Sequence, residues 1–171
     1  TTEVASFNEF TALLADDTAI AAYDNVVFDT APTGHTIRLL HLPGEWTDFL
    51  DAGKGDASCL GPMAGLDRAR TTYATALHRL ADPAWTRMVL VARAQASSLA
   101  EAARTATELA EIGISDQRLV VNAVLPPDAS GDRLAAAVRD RESRALAALP
   151  AALVGMPRDE VPLRADTVVG V

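Results

Sequence analysis

Arg87-Met88-Val89-Leu90-Val91-Ala92, a helical stretch, then Leu119-Val120-Val121-Asn122-Ala123-Val124: this passage decides the fold. Each run is apolar, rich in Val and Leu, and too continuous to leave one face in water, so both read as buried parallel strands. Between them Leu99, Ala102, Ala106, Leu109 and Ile112 recur at helical spacing. Ser98 and Glu101 fit a capping box at the start of that helix, and Gly113 a stop at its end. Strand, helix, strand in this order is a βαβ unit, and such a unit implies a parallel sheet.

The pattern continues on both sides. Leu66, Tyr73, Leu77 and Leu80 mark the buried stripe of a preceding helix, and Leu134, Val138, Ala145 and Leu149 that of a following one. Glu160 to Leu163 reads as a last short strand. Near the start, Glu3 to Leu14 carries Val4, Phe7, Phe10 and Leu14 at helical spacing, an amphipathic helix. Asn25-Val26-Val27-Phe28-Asp29 reads as a further buried strand that ends in an acid, and Pro32 and Gly34 prevent its continuation. His35 to Leu42 reads as a short helix stopped by Pro43-Gly44. From Glu45 to Gly65 the pattern weakens into Asp, Gly, Ser and Pro, the composition of a long mobile loop with some helix. With no repeat and no low-complexity tract, residues 1–171 read as a single α/β domain.

Composition narrows the function. The chain has 171 residues, 15 basic and 23 acidic side chains and a net charge of −8. That balance argues against a nucleic-acid surface, which needs clustered positive charge. Hydrophobic residues make up 49 %, which excludes intrinsic disorder. No apolar run reaches the roughly 18 residues of a membrane span. Cys59 is the single cysteine, so no internal disulfide forms and a reducing, cytoplasmic compartment is expected. The chain begins at Thr1 rather than Met, which points to processing, an excised fragment or an incompletely described chain.

In a parallel α/β sheet, ligands gather at the carboxyl ends of the strands. Three such ends carry polar residues here: Asp29, Arg93 and Asn122. An acid at the end of a buried strand suits a metal or water anchor in phosphate transfer. A glycine soon after it, Gly34, lets a backbone amide approach a phosphate closely. Pro32 stiffens the segment so that it moves as a unit. Asn122 offers a ligand both a donor and an acceptor. Each has a plainer alternative: a helix cap for Asp29, turn geometry for Thr33 and Gly34, a capped strand end for Asn122, an ion pair with an acid for Arg93.

Asp29-Thr30-Ala31-Pro32-Thr33-Gly34-His35-Thr36-Ile37-Arg38-Leu39-Leu40 resembles the signature of the arsenical pump-driving ATPases. Ser6-Phe7-Asn8-Glu9-Phe10, Leu42-Pro43-Gly44, Ala57-Ser58-Cys59-Leu60-Gly61-Pro62-Met63 and Val121-Asn122 with Leu125-Pro126 resemble the same family, in order. The resemblance implies a partial doubly wound sheet of the deviant P-loop NTPase type. It implies Asp29 as the catalytic switch aspartate that holds Mg²⁺ through water. Thr33 and Gly34 would lie beside the γ-phosphate, Arg93 near phosphate, and Asn122 on adenine of ATP or ADP. It also implies His35 and Cys59 as ligands of arsenite or antimonite, soft thiophiles that favour thiolate. Without the resemblance, Cys59 reads as a small hydrophobe and His35 as a polar helix start.

One departure qualifies the match. A phosphate loop requires Gly-x-x-x-x-Gly-Lys-Ser/Thr between a strand and a helix. Lys54, the only lysine, sits in Gly53-Lys54-Gly55 with no strand before it and no hydroxyl after it. The phosphate loop and the first switch aspartate are therefore expected N-terminal to this segment, and the chain alone is expected to be inactive. The family's further cysteine ligand precedes a Thr-Thr-Glu run, which places it just before Thr1. Expected partners are that N-terminal segment, a second ATPase half and a membrane arsenite pump, with the protein cytoplasmic and peripheral to the inner membrane. Two alternatives stand beside this reading: a non-catalytic metalloid-binding paralogue, and a targeting ATPase for tail-anchored membrane proteins, whose paired-cysteine zinc motif is absent here.

Overall fold

The computed structural model describes residues 10–29, 63–127 and 132–166. Two compact units divide the chain, Thr1–Thr86 and Arg87–Val171. In order, the labelled elements are α1 (Asp17–Ile20), α2 (Met63–Ala81), β1 (Met88–Arg93), α3 (Ala96–Glu111), β2 (Gln117–Val124), α4 (Arg133–Ala147) and β3 (Arg158–Pro162). The fold is α/β, with parallel strands alternating with helices.

In the second unit, β1, β2 and β3 form a three-stranded parallel sheet in that order. Side chains alternate across a strand, and the alternation divides β1 into two unequal faces. Leu90 and Ala92 are buried, and their register partners on β2, Leu119 and Val121, are fully buried. α3 covers this face with Leu99, Ala102, Ala106 and Leu109. The short 3-10 helix Ala151–Leu153 packs against α3, and its Leu153 is 2 % exposed. The opposite face is different. Val89 is 48 % exposed, Val91 63 % and Val161 42 %, so β1 is a half-buried strand and not the fully buried one its apolar run suggests. An unbroken apolar run requires cover on both faces, and among the described residues only one is covered.

α3 ends as Gly113 requires. Gly113 adopts φ 88°, its N–H donates to Ala110 O at 3.0 Å, and the Ile114 N–H reaches Leu109 O at 2.9 Å. This pair of bonds satisfies the last helical carbonyls in a Schellman arrangement. The start differs from expectation. α3 begins at Ala96, ahead of the Ser98–Glu101 box, with Gln95 at the N-cap making no side-chain cap bond. Ser98 Oγ instead accepts the Arg93 N–H at 3.0 Å, which fastens the first turn of α3 to the end of β1. The buried Gln117 joins the other end, its Nε2 donating to Ala106 O and Ile114 O at 3.0 and 2.7 Å.

α4 is capped by Asp132, whose carboxylate accepts the Leu134 N–H at 2.7 Å. Leu134, expected in the buried stripe, is 70 % exposed. The buried positions of α4 are Glu142 and Ala145. On β3, Asp159 bonds to Arg118 of β2; that guanidinium holds the Asp159 carboxyl below the usual carboxylate range and raises Arg118 in turn.

In the first unit, residues 10–15 are helical. Asp16 then caps α1, accepting the Thr18 N–H at 2.8 Å and its hydroxyl at 2.7 Å, and these bonds lower the Asp16 carboxyl. Arg79 of α2 donates to Leu14 O at 2.6 Å, pairs with Asp17, and lies 4.6 Å over the Trp85 ring. One cation thus ties the end of the first helix, α1 and the residues after α2 together. Residues 25–29 are irregular, with Val27 90 % exposed and Phe28 set edge-on to Phe10 at 4.9 Å. The buried strand expected there does not form among the described residues. A strand exists only through a ladder with a neighbour, and no described strand pairs with this run. The helix expected over 35–42 and most of the loop expected over 45–65 lie outside the described residues; the last three residues of that loop, 63–65, instead open α2, which begins at Met63.

Candidate functional site

β1 ends on Arg93, and β2 carries Asn122 beside it two residues before its own last residue, Val124. Arg93 and Asn122 are register partners at the carboxyl end of the sheet, on the face opposite α3. Both are exposed. Among the described residues, neither the guanidinium nor the amide has a hydrogen-bond or ion-pair partner, so the ion pair considered for Arg93 has no counterpart there. A cation and a donor–acceptor amide on adjacent strands, both open to solvent, can meet an anionic and a heteroaromatic part of one ligand.

Local bonds fix both strand exits. After β1 the Gln95 N–H bonds back to Arg93 O at 2.7 Å, Ala94 is buried, and Ser98 holds the Arg93 amide. After Asn122 the register with β3 shifts between Asn122 and Val124, and Ala123 takes φ 57°. Such irregularities re-aim side chains near functional sites. The Leu125 N–H then bonds to Glu142 Oε2 at 3.0 Å. Sequence reasoning missed Ser98 and Glu142 in these roles. The signal for Glu142 was its place between Val138 and Ala145 on the apolar face of α4, where a carboxylate needs a reason. A groove of about 710 Å³, lined by Gln95, Ser97, Arg141, Arg144 and Pro150 among others, includes neither Arg93 nor Asn122.

Asp29 belongs to the first unit, where it is exposed at the end of the irregular run. It offers one anionic oxygen donor of the kind a hard divalent cation accepts directly or through water. Thr33, Gly34, His35 and Cys59 lie outside the described residues. Among the described residues there is no group of three or more His, Cys, Asp or Glu able to hold a metal ion, and no helix long and apolar enough to cross a membrane.

The sequence profile of the anion-transporting ATPase family matches residues 1–171. The chain belongs to that family. It is 56 % identical over 172 aligned residues to an arsenical pump-driving ATPase of Escherichia coli, and 55 % identical to the arsenical pump-driving ATPase of Acidiphilium multivorum. Both alignments cover the whole chain, which spans 30 % of the length of these relatives. ATPase GET3B of Arabidopsis thaliana is 32 % identical over 146 residues, covering 72 % of the chain and 34 % of that protein. The parallel sheet alternating with helices is the architecture of an anion-transporting ATPase domain of the P-loop NTPase type.

Proposed function

We propose that this chain is part of a cytoplasmic ATPase that binds arsenite or antimonite and couples ATP hydrolysis to metalloid extrusion through a membrane pump. The observation that carries the reading is 56 % identity along the entire chain to a protein named for driving an arsenical pump. The activity belongs to the whole protein, since this stretch corresponds to 30 % of such relatives. Within it, Arg93 and Asn122 form the nucleotide edge: the amide pairs with adenine, and the guanidinium lies toward phosphate. Asp29 is the switch aspartate, and Thr33 and Gly34 approach the γ-phosphate. Mg²⁺, when bound, supplies charge neutralisation on the phosphates; Asp29 orients the water that links it to the protein.

His35 and Cys59 supply imidazole and thiolate to the metalloid. Trivalent arsenic takes three donors, so further ligands come from the rest of the protein and from a second ATPase half. The protein works in the cytoplasm and sits at the inner membrane while it engages the pump. Titrating antimonite against ATPase rate in the full product of the gene tests this. Wild type is stimulated and Cys59→Ser is not; superimposable activation curves remove Cys59 from the metalloid site. The alternative of a targeting ATPase for tail-anchored membrane proteins has its own test: recovery of bound apolar helices in place of metalloid stimulation is the result that favours it.

A further inference from the structure

Glu142 is a carboxylate in the apolar face of α4, 6 % exposed. Burying such a group is unfavourable unless it is bonded, so its partner identifies its purpose. That partner is the Leu125 N–H, at 3.0 Å from Oε2. The bond lands on the strand exit that carries Asn122. Between Asn122 and Val124 the ladder shifts register, and Ala123 occupies φ 57°, a left-handed conformation that L-residues disfavour. A residue held there persists only where its surroundings over-determine it. Three ties do so on consecutive residues. Val124 O accepts the Leu163 N–H at 2.7 Å, the Leu125 N–H is held by Glu142, and Pro126 O accepts from Arg139 at 3.4 Å. The ties from Glu142 and Arg139 each have an ionisable side chain as one partner, and both come from a single turn of α4; of the two, the Glu142 bond is the shorter.

We propose that Glu142 is a positioning residue for base recognition: by gripping the Leu125 amide it holds the Ala123 irregularity and so sets the aim of the Asn122 side chain. This rests on the reading that Asn122 meets adenine. Glu142 touches no nucleotide; it acts through the backbone of residues 123–125.

The test measures KM and kcat for ATP and for GTP in the full product of the gene, for wild type, Asn122→Ala, Glu142→Gln and Glu142→Leu. Glu142→Leu removes the acceptor at similar volume and is expected to raise KM for ATP roughly 10- to 100-fold, the worth of a hydrogen bond to a charged group. The loss falls on KM more than on kcat, and the preference for ATP over GTP falls with it. Glu142→Gln keeps an oxygen acceptor without the charge, so its loss is about 2- to 5-fold in the same direction. A merely structural role lowers the melting temperature and leaves the ATP/GTP ratio unchanged. If Asn122→Ala abolishes base preference while both Glu142 variants keep it, the positioning role is overturned and the adenine reading stands. If Asn122→Ala keeps the preference, the adenine reading fails and the proposal falls with it. Should Glu142→Leu not fold, Glu142→Gln decides alone: an unchanged ATP/GTP ratio overturns the proposal.

Discussion

Asn122 and Arg93 are legible in the sequence because each is a polar residue at or near the end of an apolar run, and the carboxyl ends of parallel strands are where a sheet of this kind offers polar side chains to a ligand. Ser98 and Glu142 are not legible in the same way. A serine three residues ahead of a glutamate satisfies the capping-box pattern, yet here its hydroxyl accepts the Arg93 amide. A glutamate within an apolar stripe reads as an interruption until the Leu125 N–H gives it a partner. Asp29 belongs to the sequence signature more than to any described contact, and its test is functional. Asp29→Asn keeps the shape and removes the charge. In the full product of the gene, ATP hydrolysis is expected to fall ~10- to 1000-fold, as when one positioned electrostatic group is lost. Wild-type turnover in steady-state assays of that variant removes Asp29 from the switch role.

At the level of elements, β1, α3 and β2 follow the sequence closely because each is specified locally by an apolar period and a stop signal. The run 25–29 fails for the opposite reason: strand formation depends on a neighbour, which the run itself does not encode. Gly113 is the sharpest local instruction. Gly113→Ala places a Cβ at φ 88° and is expected to cost about 1–2 kcal/mol, read as weaker hydrogen-exchange protection of the last turns of α3. Unchanged protection there means the Schellman closure contributes little. The Arg118–Asp159 pair between β2 and β3 gives a pH signature. Arg118 depresses the Asp159 carboxyl, so the pair's stabilisation is complete above the ordinary value of 3.8 and is lost as pH falls through the lowered one. Asp159→Asn is therefore expected to melt slightly earlier than wild type at pH 7, by the small amount typical of exposed pairs, and to converge with it in strong acid. A gap that persists in acid assigns the effect to something other than charge.

Over the whole molecule, these 171 residues carry no Gly-x-x-x-x-Gly-Lys-Ser/Thr sequence, which gives a prediction for the chain by itself. Purified as these 171 residues, it is expected to show no Mg-dependent ATP turnover above background, measured as phosphate release; turnover dependent on Mg²⁺ overturns the assignment of catalysis to a larger assembly. Family and fold are legible because the matching motifs run the length of the chain. His35 and Cys59 are proposed as metalloid ligands on the sequence signature alone. The order of the sheet has a separate consequence. Its three described strands stand in space in the order in which they occur along the chain. During synthesis β2 and β3 therefore each meet a described neighbour that has already left the ribosome, and neither has to be wedged between two older described strands. A slow, long-range pairing problem becomes a series of short ones, each solvable while translation is still under way.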